Sequence, residues 1–544
     1  MSASRTAPGW WRLPGRRSAA AACALAVSVA VAVVTAGAGN AIASPMSGSA
    51  NPVVRIDSGV IRGASAAGVN SFLGLPYAAP PTGNLRWRPP QPAAAWTGVR
   101  PATQFGPSCP QALTRNPFLP PGTISEDCLY LNVYAPPVSS NDQGGRPVLV
   151  WIHGGGLVQD GARNYDGTKL AAAGTVVVTI NYRLGALGFL AHPALASRPG
   201  GPAGNYGLMD QQAALRWVQR NIAQFGGDPD NVTIAGQSAG GLSVLAQMVS
   251  SGARGLFQRA IVQSGTFALN QRPLATAEAA GQTFATAVGC PDQTAACLRN
   301  APVSDLVSNF GVEIPGVVDG SVLTQPIGTA LARGQFARVP VINGITHDEE
   351  LLFVAGVGIT VSQGTNIPLA GNPVTSANYQ ANIAQALGVT DARAAAIAAE
   401  YPPGAAPDVA FSFLVSDASF ACPALQVDRW TAARSVPTYA YQFNDDKAPV
   451  NILGFSLGLA THGAELPYLF DQPNTPVVLD PAQQALAASM RTDWASFAGT
   501  GNPSSRALPW PSFNGTRVLS LVPLQSQVTT DFAAAHHCSF WAAG

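Results

Sequence analysis

Apolar and polar positions along the chain repeat with two different periods. Pro147-Val148-Leu149-Val150-Trp151-Ile152 is a continuous apolar run, and Val176 to Ile180 is another. Runs of this length without a polar face predict strands buried on both sides. Leu129 to Tyr134 and Val232-Thr233-Ile234-Ala235 predict two further strands. Gln211 to Phe225 has helical spacing instead, with Leu215, Trp217, Val218 and Ile222 recurring on one side, and a second helix starts near Leu242. Strands alternating with helices predict a mostly parallel α/β sheet flanked by helices. Val53 to Ile56 and Gly59 to Arg62 predict an opening hairpin, and Phe72 to Tyr77 a strand that leads into a Pro-rich stretch.

The second half is less regular. Strands are predicted at Pro340 to Gly344 and Tyr439 to Phe443, with alanine-rich helices between them. These read as large loop and helical insertions. The Gly-, Asn- and Pro-rich segment from Ala355 to Pro373 is a loop candidate that could border a pocket. Neither an internal repeat nor a dividing linker is visible, so residues 44–544 are expected to form one domain.

The first 43 residues have a different pattern. Arg5, Arg12, Arg16 and Arg17 precede an apolar run from Ala19 to about Ala36, and Ala41-Ile42-Ala43 supplies a small-x-small cleavage site. That is the layout of a secretory signal peptide. The run approaches the ~20 residues that span a bilayer, so a retained anchor is the alternative. Arg16-Arg17 fits a twin-arginine signal poorly. Cleavage after Ala43 leaves 26 basic against 29 acidic residues, net −3. Only 11% of all residues are charged, well below the usual ~25%. All basic residues except Lys169 and Lys447 are arginine. This bias suggests a GC-rich genome rather than a function. Without a basic block or an acidic tail, nucleic acid is not an expected partner.

Cysteine usage agrees with export. Cys23 leaves with the signal, and Cys109, Cys128, Cys290, Cys297, Cys422 and Cys538 remain. An even number in an exported chain suggests disulfides. Pairing by proximity gives 109–128, 290–297 and 422–538, one of about 15 possibilities. A zinc site is the weaker alternative, because no C-x-x-C pair exists and the histidines lie elsewhere.

Gly236-Gln237-Ser238-Ala239-Gly240 is a G-x-S-x-G pattern between a predicted strand and a predicted helix. A nucleophilic serine on a sharp turn needs that context. Neighbours without a Cβ let strand and helix pack closely around it. Gly454-Phe455-Ser456-Leu457-Gly458 repeats the pattern. Ser456 is set aside, since no acid lies between it and His462 and the expected chain order is serine, acid, histidine. His153-Gly154-Gly155-Gly156 follows the strand ending at Ile152. Three glycines there expose backbone N–H groups suited to an oxyanion hole.

These residues and their neighbours resemble the type-B carboxylesterase and cholinesterase family. The resemblance is carried by Phe225-Gly226-Gly227-Asp228-Pro229 followed by Val232 to Gly241, and by Ser125-Glu126-Asp127-Cys128-Leu129-Tyr130-Leu131-Asn132. Val262 to Gly265, Asn181 to Gly185 and Asn205 to Gln211 add to it, and it spans the chain from about Val53 to the tail. It implies an α/β-hydrolase fold and a serine ester hydrolase. Gly344 to Glu350 resembles the family's acid loop, which implies Glu349 as the acid; the family usually has glycine where this chain has Glu350. Thr461 to Leu466 resembles the histidine loop and implies His462 as general base. Elimination agrees, since His153 sits in the glycine element, His347 beside the acid, His192 upstream of the serine, and His536 and His537 at the tail.

The resemblance implies that Ser238 attacks the ester carbonyl, with the oxyanion held by the N–H groups of Gly155, Gly156 and Ala239. No cofactor or metal is expected; the expected partner is a small-molecule ester. The resemblance also supports Cys109–Cys128, which would close a loop beside the pocket mouth. In cholinesterases that loop carries a tryptophan that holds choline by cation–π attraction. Residues 110–127 contain none, so a choline ester is not the expected substrate. The loop is short, with Phe118 and Leu119 among its few large apolar residues. A soluble esterase for short to medium acyl chains is expected ahead of an interfacial lipase. Relatives that have lost the serine act as binding domains, and the intact set here argues against that.

Overall fold

The computed structural model describes residues 51–112, 122–138, 144–196, 203–310, 316–351, 374–452, 455–458, 460–473, 476–505 and 508–543. The expected signal segment and the loop predicted at 355–373 lie outside the described residues, as do Phe118 and Leu119.

Eleven strands form one sheet. Its centre is Arg146–Ile152, paired in parallel with Val176–Ile180 on one side and with Gly227–Gln237 on the other. Parallel pairing continues outward through Arg259–Gln263, Val341–Thr346, Thr438–Phe443 and Val518–Leu521. Beyond Val176–Ile180 the sheet turns antiparallel, through Tyr130–Ala135, Val69–Pro76 and Ala64–Ala66. The hairpin of Val53–Ile56 and Gly59–Arg62 belongs to a separate three-stranded sheet. The fold is that of an α/β-hydrolase, with a large, mostly parallel sheet flanked by helices.

The sequence pattern explains why the centre is parallel. Side chains alternate across a strand. Val148, Val150 and Ile152 enter the core on one face, and Leu149 and Trp151 enter the core on the other. Val176, Val178 and Ile180 share the first core, and Val177 the second. A strand with helices on both faces has no room for a polar side, so the apolar run is continuous.

The predicted helix at Gln211 begins earlier, as Tyr206–Asn221, and ends in a 3₁₀ turn at Ile222–Phe225. The left-handed Gly226 closes it, its N–H donating to the Ala223 and Ile222 carbonyls. The apolar pattern does not single out Arg259–Gln263 or Val518–Leu521 as strands. Val262 and Gln263 were visible only as part of a motif, because that strand is five residues long with polar ends.

The predicted alanine-rich insertion contains Tyr379–Leu387, Asp391–Glu400 and a run from Pro407 to Ala432. That run is long and apolar enough to cross a membrane, but 56% of its most apolar window is buried inside the protein. It is interrupted by a π turn at Asp417–Ala421.

All six remaining cysteines are paired, as Cys109–Cys128, Cys290–Cys297 and Cys422–Cys538. The pairing by proximity is therefore the one observed. The sulfurs are bonded to one another, so none is available as a thiolate for zinc. Such bonds suit a protein of the secretory type. Cys422–Cys538 closes a sequence separation of 116, and Cys290–Cys297 one of 7. Loop-closure entropy grows with the length enclosed. Replacing Cys422 and Cys538 by serine should lower unfolding free energy by about 4–5 kcal/mol, against about 2 kcal/mol for the 290–297 pair. Urea denaturation of the two double variants checks the order.

Candidate active site

The strand Gly227–Gln237 ends directly at Ser238, and the helix Ala239–Val249 starts directly after it. Ser238 has φ +58° and ψ −128°. A serine in that region costs about 1–3 kcal/mol and persists only when its surroundings hold it. Its N–H donates to the Gln263 carbonyl at 2.8 Å, and its carbonyl accepts from Leu242 N–H at 2.9 Å. The glycines act through absence. A Cβ on Gly240 would lie 2.0 Å from the Ile152 carbonyl oxygen, and one on Gly236 2.5 Å from Gly240. Strand, turn and helix can close this tightly only with hydrogen at those positions.

The second match, at Ser456, has a different setting. Phe455–Gly458 is one strand of an antiparallel hairpin with Pro449–Ile452, not a strand-to-helix turn.

The strand Arg146–Ile152 ends beside this turn. A Cβ on Gly154 would be 2.8 Å from the Gln237 carbonyl and 3.1 Å from Ser238 Cβ. Gly155 and Gly156 have φ of +82° and +62°. The Gly155 carbonyl accepts from Val158 and Gln159 N–H at 3.1 Å each. Among the described residues, the N–H groups of Gly155, Gly156 and Ala239 donate to no backbone carbonyl. Ala239 N–H is also the first of the helix, where no intrahelical acceptor exists and the dipole is positive. His153 is no candidate base. It is buried, its ring stacks on Tyr182 at 4.4 Å, and burial holds its pKa low.

Glu349 follows the strand Val341–Thr346, and His462 lies on a loop after Thr438–Phe443. The two loops are stitched together, since Asp348 N–H donates to the Ala460 carbonyl at 2.8 Å and Asp348 bridges Thr461. His462 Nδ1 then donates to Glu349 Oε2 at 2.5 Å. The other carboxylate oxygen accepts from Thr346 N–H at 3.0 Å. Gly463 brings the histidine loop to the Ser238 turn, because its Cβ would lie 3.7 Å from Gln237 Nε2. The adjacent acid, Glu350, makes a different contact, with its N–H on Ser416 Oγ at 3.0 Å.

Two carboxyl groups that sequence reasoning gave no role lie close by. Burial pushes Glu350 up to about 8, with Glu349 adding to it and His462 opposing. Burial likewise pushes Glu465 up to about 7, although Gln263 Nε2 donates to it at 3.0 Å. Glu465, three residues after His462, was the readable signal. For His462 itself, burial lowers the pKa, but Glu349, by charge and by hydrogen bond, with Glu465 and Glu350 behind it, more than reverses this. The imidazole is held above its ordinary ~6.5.

With this geometry, similarity to known proteins decides the family. The carboxylesterase family profile matches residues 50–541. The chain belongs to the carboxylesterase family. Human cocaine esterase is 35% identical over 507 residues, 88% of each chain. A pyrethroid hydrolase of Rattus norvegicus is 36% identical over 499 residues, covering 86% of this chain and 85% of its own. An acylcarnitine hydrolase of Mus musculus is 36% identical over 498 residues, 86% of each. Family membership and these relatives make the chain an ester hydrolase, a carboxylesterase in activity.

A general base must be neutral to accept a proton. With His462 as the general base proposed below, its raised pKa means that kcat/KM falls on acidification from a midpoint above 6.5. Glu349→Gln removes the first charge that raises it. That variant should move the midpoint to lower pH and cut kcat by about 10³-fold or more, as removing an orienting acid does elsewhere. The pH–rate profiles of both forms check this, and a wild-type midpoint below 6.5 contradicts it.

Proposed function

We propose that this carboxylesterase is exported and works through an acyl-enzyme, with Ser238 as nucleophile, His462 as general base and Glu349 as orienting acid. The observation that carries the reading is the buried 2.5 Å bond from His462 Nδ1 to Glu349. With Nδ1–H committed to the acid, Nε2 is the nitrogen left to take a proton. His462 takes the Ser238 proton as Oγ attacks the ester carbonyl. The N–H groups of Gly155, Gly156 and Ala239 hold the oxyanion. His462 then protonates the leaving alcohol, and water releases the acid by the same steps. The residues present need no cofactor for this sequence.

Short- to medium-chain esters are the proposed substrates. The tryptophan-free 110–127 segment supports a pocket without a choline site. The relatives are named for cocaine, pyrethroids and acylcarnitine, which supports a site not tied to one alcohol. Three disulfides, with the arginine-led apolar segment ending at Ala43, support export as a soluble enzyme. A mature N-terminus at Ser44 by mass spectrometry is the expected finding.

Hydrolysis of p-nitrophenyl esters from acetate to palmitate tests the chemistry. Activity should be highest at short chains, and Ser238→Ala should lower kcat/KM by at least about 10⁴-fold. A long-chain optimum that jumps above substrate solubility would make it a lipase. No turnover of any ester would move a binding role to the front.

A further inference from the structure

A second buried histidine–carboxylate pair lies outside the site just described. His536, in the C-terminal tail, donates from Nδ1 to Asp417 Oδ1 at 2.5 Å. Gln442 Nε2 lies 2.7 Å from His536 Nε2. An amide N–H can only donate, so Nε2 accepts and the ring proton sits on Nδ1, facing the acid. The other Asp417 oxygen accepts from Tyr401 Oη at 2.8 Å, and Tyr401 Oη in turn accepts from Trp541 Nε1 at 2.9 Å. Asp417 thus ties together the tail, the helical insertion and, through Gln442, the sheet strand Thr438–Phe443.

Asp417 is also the first residue of the π turn Asp417–Ala421. A π turn adds a residue to a helical repeat; such turns are rare and occur frequently at functional sites. What this one delivers is Phe420. The Phe420 ring stands 5.4 Å from the His462 ring and 5.4 Å from Phe267. Its carbonyl is fixed by Thr266 Oγ1 at 3.1 Å, two residues past Ser264. The turn therefore places an aromatic wall against the histidine of the candidate site.

We propose that Asp417 and His536 are positioning residues for that wall: the pair holds the π turn so that Phe420 stands beside His462 and sets acyl-chain selectivity. This rests on the esterase reading above. The pair is not needed merely to fasten the tail, because the Cys422–Cys538 disulfide already does so, with one end next to the turn and the other two residues past His536. A buried ionisable pair is also a poor way to gain stability, since apolar residues of like size often serve as well. Its use is to fix one geometry. The His536 ring packs on Phe532 at 4.5 Å and approaches His347 at 5.9 Å, so it also backs the loop that carries Glu349.

The test compares wild type, Phe420→Ala, His536→Ala, His536→Asn and the Phe420→Ala/His536→Ala double variant. For each, kcat and KM are measured on p-nitrophenyl acetate and hexanoate. Active sites are counted by the p-nitrophenol burst from a phosphonate ester, and stability by thermal melting. Phe420→Ala should raise the hexanoate-to-acetate ratio of kcat/KM about tenfold, in the range a pocket wall commands. His536→Ala should raise it at least about threefold, mostly through KM for hexanoate. His536→Asn, which keeps a donor near Nδ1, should return it to within about twofold of wild type. The double variant should match Phe420→Ala alone, since residues acting through one contact do not add. If His536→Ala does not fold, Asp417→Asn carries the same expectation. A His536→Ala protein with lower Tm or fewer active sites but an unchanged ratio overturns the proposal, as does a double variant whose effects multiply. Those outcomes leave the esterase reading standing. A wild type that hydrolyses neither ester overturns both.

Discussion

The structure turns on the backbone at Ser238. A non-glycine residue with φ +58° is held there by a hydrogen bond on each side, one to the neighbouring strand and one into the helix that follows. The first of these bonds depends on the parallel sheet, because Gln263 is the residue registered beside Gln237 in the next strand. The sheet in turn closes this tightly only because Gly236 and Gly240 bring no Cβ against Ile152 and each other. Strain at one residue is thus offset by the packing of a whole core. The result is a serine fixed at a helix N-terminus, beside a glycine loop in which the N–H groups of Gly155 and Gly156 donate to no backbone carbonyl among the described residues.

Electrostatics around His462 follow from burial. Glu349 and Glu465 are fully buried and Glu350 nearly so. In such surroundings a charge is costly unless it is paired. Glu349 meets that condition through His462 and Thr346 N–H. Glu350 and Glu465 do not, and burial drives them toward the protonated form. The imidazole is therefore served by one well-bonded carboxylate, with two weaker ones behind it. This accounts for why adjacent acids in one loop have different fates.

The elements that converge on the site come from distant parts of the chain. Each loop follows the carboxyl end of a parallel strand, where open α/β sheets place their ligands. The helical insertion and the tail add a second layer, joined at Asp417, whose two oxygens take bonds from Tyr401 and His536. That layer meets the acid and histidine loops through Phe420 beside His462, through Ser416 Oγ, which accepts from Glu350 N–H, and through His536 beside His347. Asp417 and His536 are thereby linked to the ring that stands beside His462.

By itself the sequence determined the central strands, since a run such as Val176 to Ile180 has no polar face to expose. It also determined the serine turn and the glycine loop, where backbone geometry demands particular residues at fixed spacing. The cysteines left about 15 pairings open, and the structure shows the one that joins neighbours along the chain. Resemblance supplied Glu349 and His462, because an acid in Asp348-Glu349-Glu350 has no local mark that sets it apart from its neighbours. Only the tertiary structure decided that Glu349, not Glu350, meets the imidazole, through the bridge between Asp348 and Thr461. Only it joined Asp417 to His536 across 119 residues. The physical reason is the same in both cases. A strand or a turn is specified by residues that are neighbours in the chain, whereas a buried charge is specified by what surrounds it in space.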